Sequence, residues 1–164
     1  MRITVPALLL AFFTCAASAD AQEVVAGLSI YRPFGLDDLD GELPPSAEFR
    51  VTLPLSRDFA FEPFITVGQQ ANGSVGLEGF YGLQIRQRLA SFPERQLDVF
   101  ATYGVSAYYS RYGSLAPIIG QLGLGFHQRL SARLAFRPEV QVVTFHVVPI
   151  GARLIAGLAV NLTR

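Results

Sequence analysis

The sequence predicts an all-β fold, an eight-stranded antiparallel up-and-down β-barrel, and three observations carry that reading. Apolar residues recur at every second position over long segments, which is the period of a strand and not of a helix. Eight such segments follow one another, separated by polar or Gly- and Pro-containing connections, as in a meander. The stretch LSRDFAFEPFITVG (Leu55 to Gly68) returns later in the chain as LSARLAFRPEVQVV (Leu130 to Val143), a polar turn leading each time into an alternating strand.

The segments run in order from Glu23. The first, Glu23 to Arg32, has Val24, Ala26, Leu28 and Ile30 on one face, and a long polar stretch, Pro33 to Pro45, follows. The second, Ala47 to Leu55, sets Phe49, Val51 and Leu53 against Glu48, Arg50 and Thr52. The third has Phe59, Phe61, Pro63, Ile65 and Val67 on one side and Ala60, Glu62, Phe64, Thr66 and Gly68 on the other. Pro63 has no N–H to give a ladder, so it is expected to mark a bulge. The fourth, Leu77 to Leu89, opposes Tyr81, Leu83 and Ile85 to Gln84, Arg86 and Arg88. After the turn ASFPERQ, the fifth (Leu97 to Tyr109) sets Val99, Ala101 and Tyr103 against Asp98, Phe100 and Thr102. The sixth, Ile118 to Leu130, opposes Leu122, Leu124 and Phe126 to Gly123, Gly125, His127 and Arg129. The seventh is the repeat, with Arg137, Glu139 and Gln141 on its polar side. The eighth, Ala152 to Leu162, sets Leu154, Leu158 and Val160 against Arg153 and Gly157.

The segment 1–21 is set apart from these. Arg2, an apolar run from Ile3 to Phe13 and the small residues Ala17-Ser18-Ala19 or Ala19-Asp20-Ala21 make a secretory signal peptide, leaving residues 22–164 as one barrel domain. The only cysteine, Cys15, lies inside it, and Phe12-Phe13-Thr14 before it does not match a lipoprotein box. The mature chain is expected to carry no disulfide, thiol chemistry or cysteine-based metal site.

Alternation alone does not say which face looks inward, because a soluble ligand-binding barrel and a membrane barrel share the same period with inverted faces. Three features favour the inverted arrangement. The polar face combines Gly, Ser, Thr and Gln with both signs of charge, and all 13 basic residues are Arg, a residue suited to fixed hydrogen-bonded pairs. The apolar face is almost free of charge for about ten residues per strand, which at ~45° tilt spans the ~25 Å apolar band of an outer membrane. Aromatics on that face gather at strand ends: Phe59, Phe61 and Phe136 near short turns, Tyr81 and Tyr109 near the loops. An interior polar network is therefore expected from Glu48, Arg50, Glu62, Gln84, Arg86, Arg88, Asp98, His127, Arg129, Arg137, Glu139 and Arg153. Counting from the turns sets Arg88 opposite Asp98, Glu62 beside Gln84 and Arg86, and Arg137 next to His127.

With these residues in view, the chain resembles the small eight-stranded outer-membrane β-barrels of Gram-negative bacteria, the OmpA/OmpX-like kind. The FAFEPFITVG strand, the RPE strand and the Gly-rich last strand carry the resemblance, although the chain ends Leu162-Thr163-Arg164 and not on an aromatic residue. The resemblance implies an integral outer-membrane protein, exported by its signal peptide, with outer-membrane lipid, lipopolysaccharide and the barrel assembly machinery as partners. It implies a monomer with a filled interior and a structural or surface-interaction role through its loops, residues 33–45 being the most prominent contact surface for a ligand. The acidic residues balance the basic ones, 13 of each, so nothing draws in nucleic acid. No cofactor, metal or catalytic residue is expected. A lipid A-modifying barrel enzyme would need a His beside a Ser, whereas Arg129 follows His127 at that spacing and Val148 follows His146. Asp37, Asp38 and Asp40 read most simply as a solvated acidic loop. A soluble, periplasmic, lipocalin-like barrel is the other alternative.

Overall fold

The computed structural model describes residues 23–34, 45–69, 77–109, 118–145 and 148–162. The expectations for the signal peptide, for most of the 33–45 stretch with Asp37, Asp38 and Asp40, and for His146 lie outside these residues. Eight strands form: β1 Glu23–Pro33, β2 Ser46–Pro54, β3 Phe59–Gln69, β4 Leu77–Phe92, β5 Leu97–Tyr109, β6 Ile119–Arg129, β7 Leu134–Phe145 and β8 Val148–Asn161. Each pairs antiparallel with the next, and β8 closes on β1, so the sheet is a barrel without edges.

The stagger of the strands sets its size. Register partners lead from Glu23 to Thr52, across to Glu62, then to Gln84, Gly104, Gln121, Val143 and Gly151, and return to β1 at Pro33, well beyond the start. With a rise of ~3.3 Å and a strand spacing of ~4.7 Å, that stagger over eight strands means a tilt of about 40° and a backbone radius of about 8 Å. Such a cylinder has room for side chains and little more.

The three turns β2–β3, β4–β5 and β6–β7 are short and lie at one end. The other connections lie at the opposite, long-loop end. Two of the short turns are the same structure twice. Leu55 N and Ser56 N donate to Phe59 O at 2.9 and 3.0 Å, as Leu130 N and Ser131 N donate to Leu134 O at 2.8 and 3.0 Å. Ser56 Oγ accepts from Phe59 N at 3.2 Å and Ser131 Oγ from Leu134 N at 3.1 Å. The repeat reaches further than its turns. Glu23↔Thr52 and Phe49↔Ile65 become Asp98↔His127 and Leu124↔Val140, the same register at the equivalent places of the second copy. Strands β1–β3 and β5–β7 are thus two copies of one three-stranded unit on opposite walls. The correspondence ends at β4 and β8, where Phe59↔Gln87 and Leu134↔Val160 differ by two positions.

The faces are inverted as predicted. Leu28, Leu83, Tyr103, Val105, Leu122, Leu124, Val140, Leu154 and Leu158 are exposed, while Glu48, Arg50, Glu62, Gln84, Arg137, Glu139 and Arg153 are buried. Val51 and Ile65 share the outward parity but are also buried.

Four expectations are corrected. Strand β4 extends past Leu89 to Phe92, because a bulge between Arg88 and Ala90 shifts its register. The β4–β5 turn is therefore only residues 93–96, a 3-10 turn at Pro93–Arg95 closed by Gln96 at φ 51°. Strand β8 begins at Val148 and not at Ala152. Pro63 makes no bulge. It pairs in register with Leu83 of β4, while the ladder to β2 skips Val51 and Thr52 opposite it. Pro138 does the same, in register with Ala156 while the β6 ladder skips Phe126 and His127. A missing N–H costs ladder contacts on the one side it faces, and no residue is inserted.

Candidate functional site: the buried charge network

Among the described residues, charge is concentrated on the inward face of the barrel, where the sequence placed it. Its centre is a bond across the barrel. Glu62 on β3 and Arg137 on β7 stand at equivalent places in the repeat, and because β3 and β7 are four strands apart they face each other. Arg137 donates Nη1 to Glu62 Oε1 at 2.7 Å and Nη2 to Oε2 at 2.6 Å. Neither side chain is more than 1% exposed. A planar guanidinium matched to both carboxylate oxygens is the strongest geometry for such a pair. Glu62 also accepts from Thr52 Oγ1 and Gln84 Nε2, both at 2.9 Å, and Arg86 Nε stands 3.5 Å away.

From this centre the charges form one alternating chain along the barrel axis. Towards the short-turn end, Arg86 leads from Glu62 to Glu23 at 3.5 Å, and His127 Nε2 lies 3.0 Å from the other oxygen of Glu23. Towards the long-loop end, Arg137 approaches Glu139 at 3.9 Å and Arg50 Nη1 donates to Glu139 at 2.6 Å. Arg50 Nε binds Glu48, and Glu48 lies 3.4 Å from Arg153. Four carboxylates (Glu23, Glu62, Glu139, Glu48) thus alternate with four guanidinium groups (Arg86, Arg137, Arg50, Arg153). Burying single charges costs several kcal/mol per ion, and an alternating balanced chain is the arrangement that offsets it. Aromatic faces assist. Arg137 lies 4.7 Å from the Phe100 ring centre and Arg153 lies 4.9 Å from that of Phe64. At the long-loop end the network loosens. Both amide atoms of Gln121 and Nε of Arg153 are buried without a hydrogen-bond partner.

The two units divide the space unequally. Where β2 has Glu48 and Arg50, the equivalent residues of β6 are Gly123 and Gly125. A Cβ on Gly123 would sit 2.5 Å from Thr102 Oγ1 and 2.9 Å from Glu139 Oε1, and one on Gly125 would sit 2.6 Å from the Phe100 ring. Glycine on β6 leaves the room that Glu139 and Phe100 occupy. Large side chains on one wall are matched by bare backbone on the other.

Of the twelve residues expected in the network, Glu48, Arg50, Glu62, Gln84, Arg86, Arg137, Glu139 and Arg153 belong to it. His127 joins it at the mouth, meeting Arg137 through Glu23 and not directly. Arg88, Asp98 and Arg129 do not belong. The expected Arg88–Asp98 pair is absent. Arg88 stands opposite Phe100, and its side chain binds Asp58 at 2.7 and 3.0 Å on the short-turn rim. Asp98 accepts from Ser91 Oγ and lies 3.6 Å from Arg129, which is 59% exposed. The tight turn is the reason: it pairs Phe92 with Leu97, so Asp98 stands opposite Ser91, three residues along β4 from Arg88. Sequence reasoning missed Glu23, although its parity with Val25 and Gly27 pointed inward; Gln141 and Phe100, placed on the inward face but not in the network, are buried beside it.

No family model matches this chain, and no curated protein matches it. Solved structures do. Neisserial surface protein A superposes with a TM-score of 0.59 at 12% identity, covering 85% of this chain and 96% of that one. The N-terminal β-barrel domain of Pseudomonas aeruginosa OprF gives 0.56 at 11% identity, over 85% and 98%. Ail, the attachment invasion locus protein of Yersinia pestis, gives 0.54 at 13% identity, over 85% and 99%. The chain has the fold of the small eight-stranded outer-membrane β-barrels.

Proposed function

We propose that this chain is an integral β-barrel of a Gram-negative outer membrane, closed inside by its own ion-pair chain and acting at the surface through its long-loop end. The observation that carries this reading is the inversion of the barrel: Glu62 and Arg137 are sealed at its centre while Leu83, Leu122, Leu124 and Leu154 stand 49–60% exposed around it. Water would penalise such a belt by roughly 25 cal/mol per Å² of apolar surface. Acyl chains would not. The short turns then face the periplasm and the long loops the outside.

A barrel of about 8 Å backbone radius, whose axis is crossed by the Glu62–Arg137 bond, favours a structural plug over a diffusion pore. Catalysis finds no support: His127 is turned inward onto Glu23, and among the described residues no serine hydrogen-bonds it. The proposed partners are outer-membrane lipid with lipopolysaccharide around the belt, the barrel assembly machinery during insertion, and a surface ligand at residues 33–45, with the barrel working as a monomer behind a cleaved signal peptide. Similar barrels include one named a surface protein and one named an attachment invasion locus protein, which agrees with a role in surface contact.

Fractionation tests the reading. Expressed in a Gram-negative host, the protein should be recovered with the outer membrane and should migrate differently on gels before and after boiling. Recovery from the periplasm in soluble form without detergent would overturn it in favour of a lipocalin-like barrel.

A further inference from the structure

The short-turn end carries a feature that the charge network does not use. Each of the three short turns presents one exposed arginine: Arg57, Arg95 and Arg133. Among the described residues none of their guanidinium groups takes part in an ion pair, although Arg86, Arg88, Arg129 and the interior arginines all do. Their backbones, in contrast, are held. Arg57 O accepts from Arg88 Nη2 at 2.6 Å, Arg95 O accepts from Gln128 Nε2 at 2.8 Å, and Arg133 O accepts from Asn161 N at 2.9 Å. In every case the donor belongs to a strand beyond the hairpin it pins. The same construction thus occurs three times: a turn fixed through the arginine carbonyl, with a side chain that joins no ion pair among the described residues.

The surroundings say what such a side chain meets. Leu55, Phe59, Phe92, Leu130 and Leu134 flank the three arginines and are 36–64% exposed. Each cation therefore sits at the edge of the apolar belt, where headgroups border acyl chains. Among the described residues of the three turns and their flanks, five guanidinium groups (Arg57, Arg88, Arg95, Arg129, Arg133) face three carboxylates (Asp58, Glu94, Asp98). Asp58 is taken by Arg88 and Asp98 lies beside Arg129, so among the described turn residues Glu94 alone is left to offset the other three arginines.

We propose that Arg57, Arg95 and Arg133 form a ring of binding points for the phosphates of anionic phospholipids in the leaflet next to the short turns. This inference rests on the membrane reading above. A guanidinium fork fits a phosphate with two parallel hydrogen bonds, and pinning the turn beforehand lowers the ordering cost of making them. Attraction of each arginine to an anionic leaflet predicts a preference of roughly fivefold for an anionic over a zwitterionic lipid at each point.

The test uses the full barrel in phosphatidylcholine vesicles containing trace spin-labelled lipid, either phosphatidylglycerol or phosphatidylcholine, with the motionally restricted fraction measured by electron paramagnetic resonance. The labelled phosphatidylglycerol should be enriched beside the protein. That enrichment should fall to parity in concentrated salt and in the triple variant Arg57→Gln, Arg95→Gln, Arg133→Gln. Heat-modifiable gel mobility confirms that the variant is folded, and the single variants serve if it is not. Equal association of both labels with the wild-type barrel, or a preference that survives in the variants, would overturn the inference while leaving the membrane reading intact. Failure of the wild-type protein to insert into any vesicle would instead remove the membrane reading, and this inference with it.

Discussion

Glu62 is the residue on which most of the interior depends. Its carboxylate accepts from Arg137, Thr52 and Gln84 and faces Arg86 as well, so neutralising it strands two cations with almost no water to solvate them. Glu62→Gln should lower stability by about 3–5 kcal/mol, the usual cost of breaking a buried pair from one side. Arg137→Gln should cost a similar amount. The double variant should cost clearly less than the two losses added together, because it removes both charges of the pair. Urea unfolding in vesicles followed by far-UV circular dichroism gives the three values, and strictly additive losses would mean that the cross-barrel bond carries no coupling. The interior positions of both residues could be read from alternation. That Glu62 would choose Arg137 could not, since β4, β5 and β6 all lie between them in the chain and Arg86 is the nearer cation in the sequence.

At the scale of the element, the two prolines separate what a strand tolerates from what it needs. Pro63 and Pro138 keep full register with β4 and β8, and the ladders on their other sides, to β2 and β6, skip two residues each. A proline nitrogen facing a neighbour gives it nothing to bond, and in lipid there is no water to replace the donor. Pro63→Val should therefore restore a donor and raise stability by about 0.5–1.5 kcal/mol, the net worth of one hydrogen bond. Slower amide exchange at Val51, the residue opposite, together with a higher urea midpoint would bear this out, whereas a lower midpoint would mean that the proline contributes by stiffening the strand. The repeated turns were legible from Leu-Ser at the head of each copy. The bulge after Arg88 was not, because nothing in Arg88-Leu89-Ala90 breaks the alternation enough to mark it. Arg88 keeps its inward parity opposite Phe100 and meets the rim because it stands level with the β2–β3 turn, where its N–H donates to Asp58 O.

For the whole molecule the question is which solvent each face meets. Leu124 lies in the middle of the outward belt on β6, 60% exposed. In a bilayer, Leu124→Arg should cost about 2–4 kcal/mol, the penalty for a cation at the membrane midplane. On a soluble barrel the same change would be close to neutral. Comparing the urea midpoints of the two proteins in vesicles decides between them, and a difference near zero would count against a lipid-facing belt. The fold itself was readable because an inverted barrel writes its architecture into every strand: a period of two, a face without charge, and a partner face of Gly, Gln, Glu and Arg.

The sequence by itself determined the number of strands, their alternation, the location of the long loops and the sign of each face, since these follow from local periodicity and turn chemistry. Only the tertiary structure decided which charges meet. The alternating order of Glu23, Arg86, Glu62, Arg137, Glu139, Arg50, Glu48 and Arg153 depends on a stagger accumulated around eight strands. A stagger is a sum over all the ladders of the barrel, and no single segment contains it.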